Sequence, residues 1–256
     1  MSAPLHLSAV RPLVRYVDEE QAVIDTHVSA SPAGWWSGQG QLDPVVEVLV
    51  EIRGSDGFHD EERTPLRLVQ GRGRVRLDVV QPNRWWPAGM GDQPLYDLTV
   101  SLVMGDQTIG HKTTTIGLTS VRCDASDSAR AVSQLLVNGQ VCSIRSLVMV
   151  DRVDENQLLP AAGDSILLVR DHYGPDVLYE AADRAGILLI QCVPIDPEGT
   201  PEREVTAQVD RLAPHPSLAG WFIGHLGRIS DQVAQLIRTL DPTRSIFREL
   251  PSVRAA

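Results

Sequence analysis

The sequence predicts a two-part chain: an antiparallel β-sandwich followed by a parallel sheet covered by helices. Three observations carry this. From residue 5 to about 121, short apolar runs alternate with polar residues; a polar stretch follows at 124–128; beyond it, continuous apolar runs alternate with helical patterns. A length of 256 residues suits one or two domains.

In the first part, Val46, Val48, Val50 and Ile52 share one face while Glu47 and Glu51 share the other. That alternation marks a half-buried strand, because successive side chains point to opposite sides. Val75, Leu77 and Val79 repeat it against Arg74, Arg76 and Asp78, as do Tyr96, Leu98, Val100, Leu102 and Met104 against Asp97, Thr99 and Ser101. Turn residues punctuate the runs at Gly54-Ser55-Asp56-Gly57, Gly71-Arg72-Gly73, Gly89-Met90-Gly91 and Gly105-Asp106. In the second part, buried strands are expected at 141–150, 165–170, 187–193, 218–224 and 245–250. The spacing predicts a helix at 175–185 with Val177, Leu178, Ala181, Ala182 and Ala185 inward and Pro175 in its first position. A second, at 202–212, buries Val205, Val209 and Leu212. A third, at 231–240, buries Val233, Leu236, Ile237 and Leu240 behind Ser230 as cap. Between 151 and 164 the connection is short, and Pro160 would interrupt a helix there.

The charge balance is acidic, 23 basic against 33 acidic side chains for a net −10, so nucleic acid and anionic membrane are not expected partners. No apolar run approaches the roughly 20 residues that span a bilayer. Residues 1–10 lack a basic segment followed by an apolar one, so no leader is read and a cytoplasmic protein is expected. Cys123, Cys142 and Cys192 are odd in number and show no paired spacing, against a disulfide framework. No glycine-rich phosphate loop or Gly-x-Ser-x-Gly turn is present, and no cofactor is expected.

The run Asn83-Arg84-Trp85-Trp86-Pro87-Ala88-Gly89-Met90-Gly91-Asp92-Gln93-Pro94-Leu95-Tyr96-Asp97-Leu98 resembles the motif near the end of the immunoglobulin-like domain of glycoside hydrolase family 2. Thr115-Ile116-Gly117-Leu118 resembles the strand after it. Leu136-Val137-Asn138-Gly139-Gln140-Val141, then Ile144-Arg145, is similar to the segment that leads into the family's catalytic barrel. Tyr173-Gly174-Pro175-Asp176, Tyr179, Asp183, Gly186-Ile187-Leu188 and Gln191 resemble barrel strands two and three of the β-mannosidase-like branch; Leu212, His215-Pro216-Ser217-Leu218 and Trp221 resemble the approach to strand four. The resemblance implies an immunoglobulin-like β-sandwich at 1–122 and a truncated TIM (β/α) barrel of about five βα units at 123–256. Trp85 and Trp86 are expected to pin a sandwich edge through roughly 150–250 Å² of burial per ring, not to stack on sugar. Trp35 and Trp36 read as a staple onto the second domain or as a sugar platform.

Family members are retaining glycosidases, whose chemistry needs two carboxyl groups about 5–5.5 Å apart. In the family the acid/base glutamate ends strand four; here Trp221-Phe222-Ile223-Gly224-His225-Leu226 puts Leu226 in its place. The nucleophile of strand seven has no counterpart if the chain stops near strand five. A non-catalytic relative serving as a carbohydrate-binding or interaction module is therefore expected, with a glycosidase completed by carboxylates from another chain as the alternative. Functional groups of such barrels gather at the carboxyl ends of strands. Arg170, Asp171, His172, Tyr173 and His225 are the candidate hydrogen-bonding groups, with Trp221 or Tyr173 as stacking face. A plain reading makes Asp171 and His172 a satisfied polar turn and Cys192 a small buried hydrophobe. His172, His225, Cys192 and Asp171 lack short ligand spacing, so no metal is expected. Open first and last strands call for a partner or a second copy.

Overall fold

The computed structural model describes residues 5–32, 45–67, 71–123, 134–143, 146–150, 165–195, 202–224 and 227–249. By internal contacts the chain forms two units, Met1–Pro82 with Pro94–Ile116, and Asn83–Gln93 with Gly117–Ala256. Relative to a division at 122, segments 83–93 and 117–122 thus group with the second unit.

The first unit holds β1 (Leu5–Val17), β2 (Gln21–Pro32), β3 (Val45–Gly54), β4 (His59–Arg67), β5 (Arg72–Val80), β6 (Tyr96–Met104) and β7 (Gln107–Ile116). They form two antiparallel sheets, ordered β1-β2-β5 and β4-β3-β6-β7. The alternation read in the sequence sets the buried faces: Val46, Val48, Val50 and Ile52 are at most 2% exposed, and Val75, Leu77, Val79, Leu98, Val100 and Leu102 are buried with them. Each such side chain contributes roughly 1.5–3 kcal/mol by leaving water. β1 lies beside β7 and β4 beside β5.

The second unit opens with β8 (Val121–Cys123), β9 (Gln134–Val137) and β10 (Gln140–Ser143), an antiparallel meander ordered β10-β9-β8. Asn138 (φ 49°) and Gly139 (φ 81°) turn β9 into β10 in the two-residue left-handed geometry that suits a hairpin. The single strand expected at 141–150 is therefore two, β10 and β11 (Ser146–Val150). A five-stranded parallel sheet follows, β11-β12-β13-β14-β15, with β12 at Ser165–Val169, β13 at Leu189–Cys192, β14 at Leu218–Phe222 and β15 at Ser245–Phe247. Helices α1 (Asp176–Ala185), α2 (Glu202–Leu212) and α3 (Arg228–Leu240) connect the last four strands.

α1 is closed by Gly186 in the left-handed region (φ 69°), its N–H donating to the Ala182 carbonyl. Its inner face is Leu178, Tyr179, Ala182 and Asp183, while Val177 is 44% exposed, so the expected stripe is rotated by one residue. α2 buries Val205, Val209 and Leu212 as read. α3 begins at Arg228 behind Gly227, which makes Ser230 a buried helical residue instead of the cap. Among the described residues no helix is long and apolar enough to cross a membrane. Trp35, Trp36 and the 151–164 connection lie outside the described residues.

Candidate functional site

Pairing register sorts the parallel sheet into two faces. Leu168, Ile190 and Gly220 share one; Val169, Gln191 and Trp221 share the other. The second lies under the helices, because Tyr179 of α1 donates its hydroxyl to Gln191 Oε1 at 2.7 Å, and Asp241, after α3, accepts from Trp221 Nε1 at 2.9 Å. On the first face, at the carboxyl ends of β11 to β14, opens a cavity of about 390 Å³. Met149, Leu168 and Phe222 form its strand wall, and Val193, Pro194 and Ile195 its loop wall; Arg170 and Asp171 are its charged members and Cys192 its thiol.

Arg170 and Asp171 thus stand where they were expected. Arg170 Nε lies 3.3 Å from Asp171 Oδ2, and both side chains are open to solvent. Asp171 holds φ at 65°, a left-handed conformation that Asp tolerates better than most residues and that turns the chain away from β12. His172 is half-buried and donates from Nδ1 to the Arg170 carbonyl at 2.8 Å. Tyr173 is half-buried with its hydroxyl enclosed and unpartnered among the described residues. Burial, then the Glu204 charge, raises that phenol well above its usual range. Neither ring is part of the cavity wall. His225 and Leu226 lie outside the described residues.

Gln191, fully buried, fixes this loop. Its Oε1 also accepts from the Gly174 amide at 3.1 Å, and its Nε2 donates to the carbonyls of His172 and Cys192 at 2.8 and 2.5 Å. Arg211 of α2 holds the far side, donating to the Gly174 carbonyl and to Asp176. Burial, then the Asp171 charge, pushes the Cys192 thiol up to about 12, so it is a protonated wall and not a nucleophile.

Trp221 requires a correction. Its ring is fully buried on the helix-covered face, with its N–H bound to Asp241, and offers no surface for a sugar. It belongs to a polar network at the amino end of the same sheet. Asp183 accepts from His215 Nδ1 at 2.6 Å and from the Ser217 amide at 3.1 Å. Buried Arg244 donates to the carbonyls of Leu218 and His215. Trp85 donates its Nε1–H to the Asp183 carbonyl at 2.8 Å, and its own carbonyl accepts from Asn138 Nδ2 at 2.9 Å. The tryptophan pair is structural as expected, but its recorded partners are in the second unit, not along a sandwich edge. Asp183, His215 and Ser217 are the residue types of a nucleophilic triad. The arrangement is not one: the Ser217 hydroxyl is buried with no partner among the described residues and is not bonded to His215.

Among the described residues, one group brings metal-ligating atoms together, Glu51, His59 and Glu61 on β3 and β4, within 4.8 Å of one another. Arg53 already occupies the Glu51 oxygen at 2.8 Å. No sequence pattern marks Met149, Pro194, Ile195 or Phe222 as cavity wall on its own. Met149 and Phe222 are detectable in principle, since register places them level with Leu168 and Cys192.

Comparison with known proteins places these features. The profile described as Glycosyl hydrolases family 2 matches residues 36–118. An exo-beta-D-glucosaminidase of Streptomyces avermitilis is 28% identical over 58% of this chain and 19% of its own length. Beta-mannosidase B of Aspergillus niger is 27% identical over 89% of this chain and 31% of its own. Among solved structures, the beta-D-mannosidase of Dictyoglomus thermophilum superposes with a TM-score of 0.75 at 21% identity, over 97% of this chain and 35% of that one. The chain therefore spans about a third or less of these proteins.

Proposed function

Because the chain belongs to glycosyl hydrolase family 2, we propose that it supplies an immunoglobulin-like sandwich and consecutive strands of a (β/α) barrel, and acts as a non-catalytic carbohydrate-binding module. The three- and four-stranded antiparallel sheets of the first unit support the sandwich. The sequential parallel order β11 to β15 supports the barrel portion.

One observation carries the functional reading: a cavity at the carboxyl ends of the parallel strands whose described carboxylate, Asp171, is exposed and paired to Arg170. Hydrolysis with retention needs two facing carboxyl groups, and by the resemblance to the family Leu226 falls where the acid is expected. Binding needs less. Arg170 donates to hydroxyls, Asp171 accepts from them, and Met149, Pro194 and Phe222 receive the apolar face of a ring. A partner or second copy along β11 and β15 completes this reading.

Calorimetric titration with mannobiose tests it. Saturable binding is expected, abolished by Cys192→Trp, which fills the cavity, and weakened about tenfold by Arg170→Ala; nitrophenyl β-mannoside is not turned over. Absence of binding, or binding indifferent to both variants, refutes the module. The glycosidase names of the relatives favour a second reading, an enzyme completed by carboxylates of another chain. Turnover lost in Cys192→Trp would establish that instead.

A further inference from the structure

The chain has a net charge of −10, yet one face of its three-stranded sheet is basic. On β5 the exposed residues are Arg72, Arg74, Arg76, Asp78 and Val80, alternating with buried Val75, Leu77 and Val79. Register sets Arg11, His27 and Arg74 in a single row across β1, β2 and β5. Arg15 sits at the β1 irregularity between Val14 and Tyr16. Like charges directly opposed across strands repel; the carboxylates here are Asp25 and Asp78 on the strands, with Asp18 and Glu20 beside Tyr16. Asp25, in the next row, is shared at long range, 3.5 Å from Arg15 Nε and 3.4 Å from an Arg74 terminal nitrogen. Asp78 is taken by Arg76 at 2.8 Å. His27 feels the surplus: burial, then Arg11, lowers its proton affinity despite Asp25 beside it.

A second observation on the same face says what the surplus is for. Tyr16 pairs with Val23, a buried residue two positions before Asp25 on β2, and is itself 44% exposed. Its hydroxyl is bonded to Asp18, which holds the ring in place. A fixed aromatic face accepts the C–H face of a sugar, and guanidinium forks beside it accept a carboxylate in two-point fashion. We propose that this face of β1, β2 and β5 binds an acidic oligosaccharide, its carboxylate held by Arg15 and Arg74 and one ring laid on Tyr16. The complementary charge favours a short ligand, because the acidic remainder of the chain repels a long polyanion. This site is independent of the cavity reading.

Calorimetry on the full chain decides it, with trigalacturonate as probe and galactotriose, inorganic phosphate and a polyglutamate peptide as comparators. Trigalacturonate is expected to bind about tenfold or more tighter than galactotriose, and more weakly as salt rises. Arg15→Gln and Arg74→Gln each weaken it by about tenfold, Tyr16→Ala weakens the uronide and not phosphate, and Asp25→Asn tightens it. These variants keep the parental circular dichroism and unfolding midpoint, and Cys192→Trp leaves the binding intact. No binding, or equal binding of galactotriose, overturns the proposal. So does phosphate binding as tightly with Tyr16→Ala silent, which leaves a simple anion site, or tighter binding of polyglutamate, which points to an acidic protein.

Discussion

Asp183 and Asp171 sit at opposite ends of one parallel sheet and obey opposite rules. Asp183, at the amino end, is 2% exposed and takes His215 and the Ser217 amide. Asp171, at the carboxyl end, leaves 76% of its side chain in solvent and pairs with Arg170. Groups with catalytic-looking chemistry are richest where they are most fully bonded to each other, and sparse where the cavity is. A Ser, a His and an Asp brought close in space are thus poor guides to activity here, since the Asp183 carboxylate is spent on His215 and the Ser217 amide while the Ser217 hydroxyl bonds to neither.

The contrast is broken most directly by charge removal. Asp183→Ala strands His215 and the Ser217 amide in a buried setting and should cost about 3–5 kcal/mol. Asp171→Asn should stay within about 0.5 kcal/mol. Urea unfolding of the two variants measures both, and equal losses would erase the distinction between the ends. A backbone probe comes next. Gly186 is left-handed, and a Cβ there would lie 2.5 Å from the Ala88 nitrogen and 3.1 Å from Gln93. Gly139 is left-handed too, but a Cβ there meets nothing within 4 Å. Gly186→Ala should therefore lose about 2–4 kcal/mol, conformational cost plus overlap, and Gly139→Ala about 1–2.

Gln191 bridges the comparison, because it is buried like the amino-end network but serves the carboxyl-end loop. Gln191→Leu leaves the Tyr179 hydroxyl and the Gly174 amide without their acceptor and should cost about 2–3 kcal/mol. The Gly174 amide should then exchange its hydrogen faster than the Leu189 amide, which bonds to the Ser217 carbonyl independently. Unchanged exchange at Gly174 would mean that Arg211 alone positions the loop.

The sequence made the regular parts of this architecture legible and the irregular parts not. Alternation at Val46 to Ile52 and spacing at Val205, Val209 and Leu212 survive because burial decides those positions and the side chains are plainly apolar. The α1 stripe was misplaced because two of its inward residues, Tyr179 and Asp183, are polar and earn burial through bonds to β13 and to the His215 segment. The Asn138-Gly139 turn was readable, yet apolar residues continue through 141–150 and mask the break between β10 and β11. At the site, strand-end logic located Arg170 and Asp171. It misassigned Trp221 because face parity depends on register, and β13 and β14 shift register between Leu189 and Ile190. Chain order alone does not carry that shift.

Cys192 gives the gentlest probe of the carboxyl end. Its thiol is 8% exposed and, in the folded protein, pushed up to about 12 from an ordinary value of 9.0. Between those values the unfolded chain releases a proton that the folded chain keeps. The contribution to stability is therefore whole below pH 9.0 and is lost as pH rises toward about 12. At neutral pH the thiolate fraction is minute, so iodoacetamide should label the half-buried Cys123 and Cys142 well before Cys192, as peptide mass spectrometry after timed quenching would record. A ligand seated in the cavity should slow Cys192 further and leave Cys123 unchanged. If Cys192 instead reacts first, the loop of Val193 to Ile195 opens in solution, and the carboxyl end is a mobile surface where the structure draws a walled cavity.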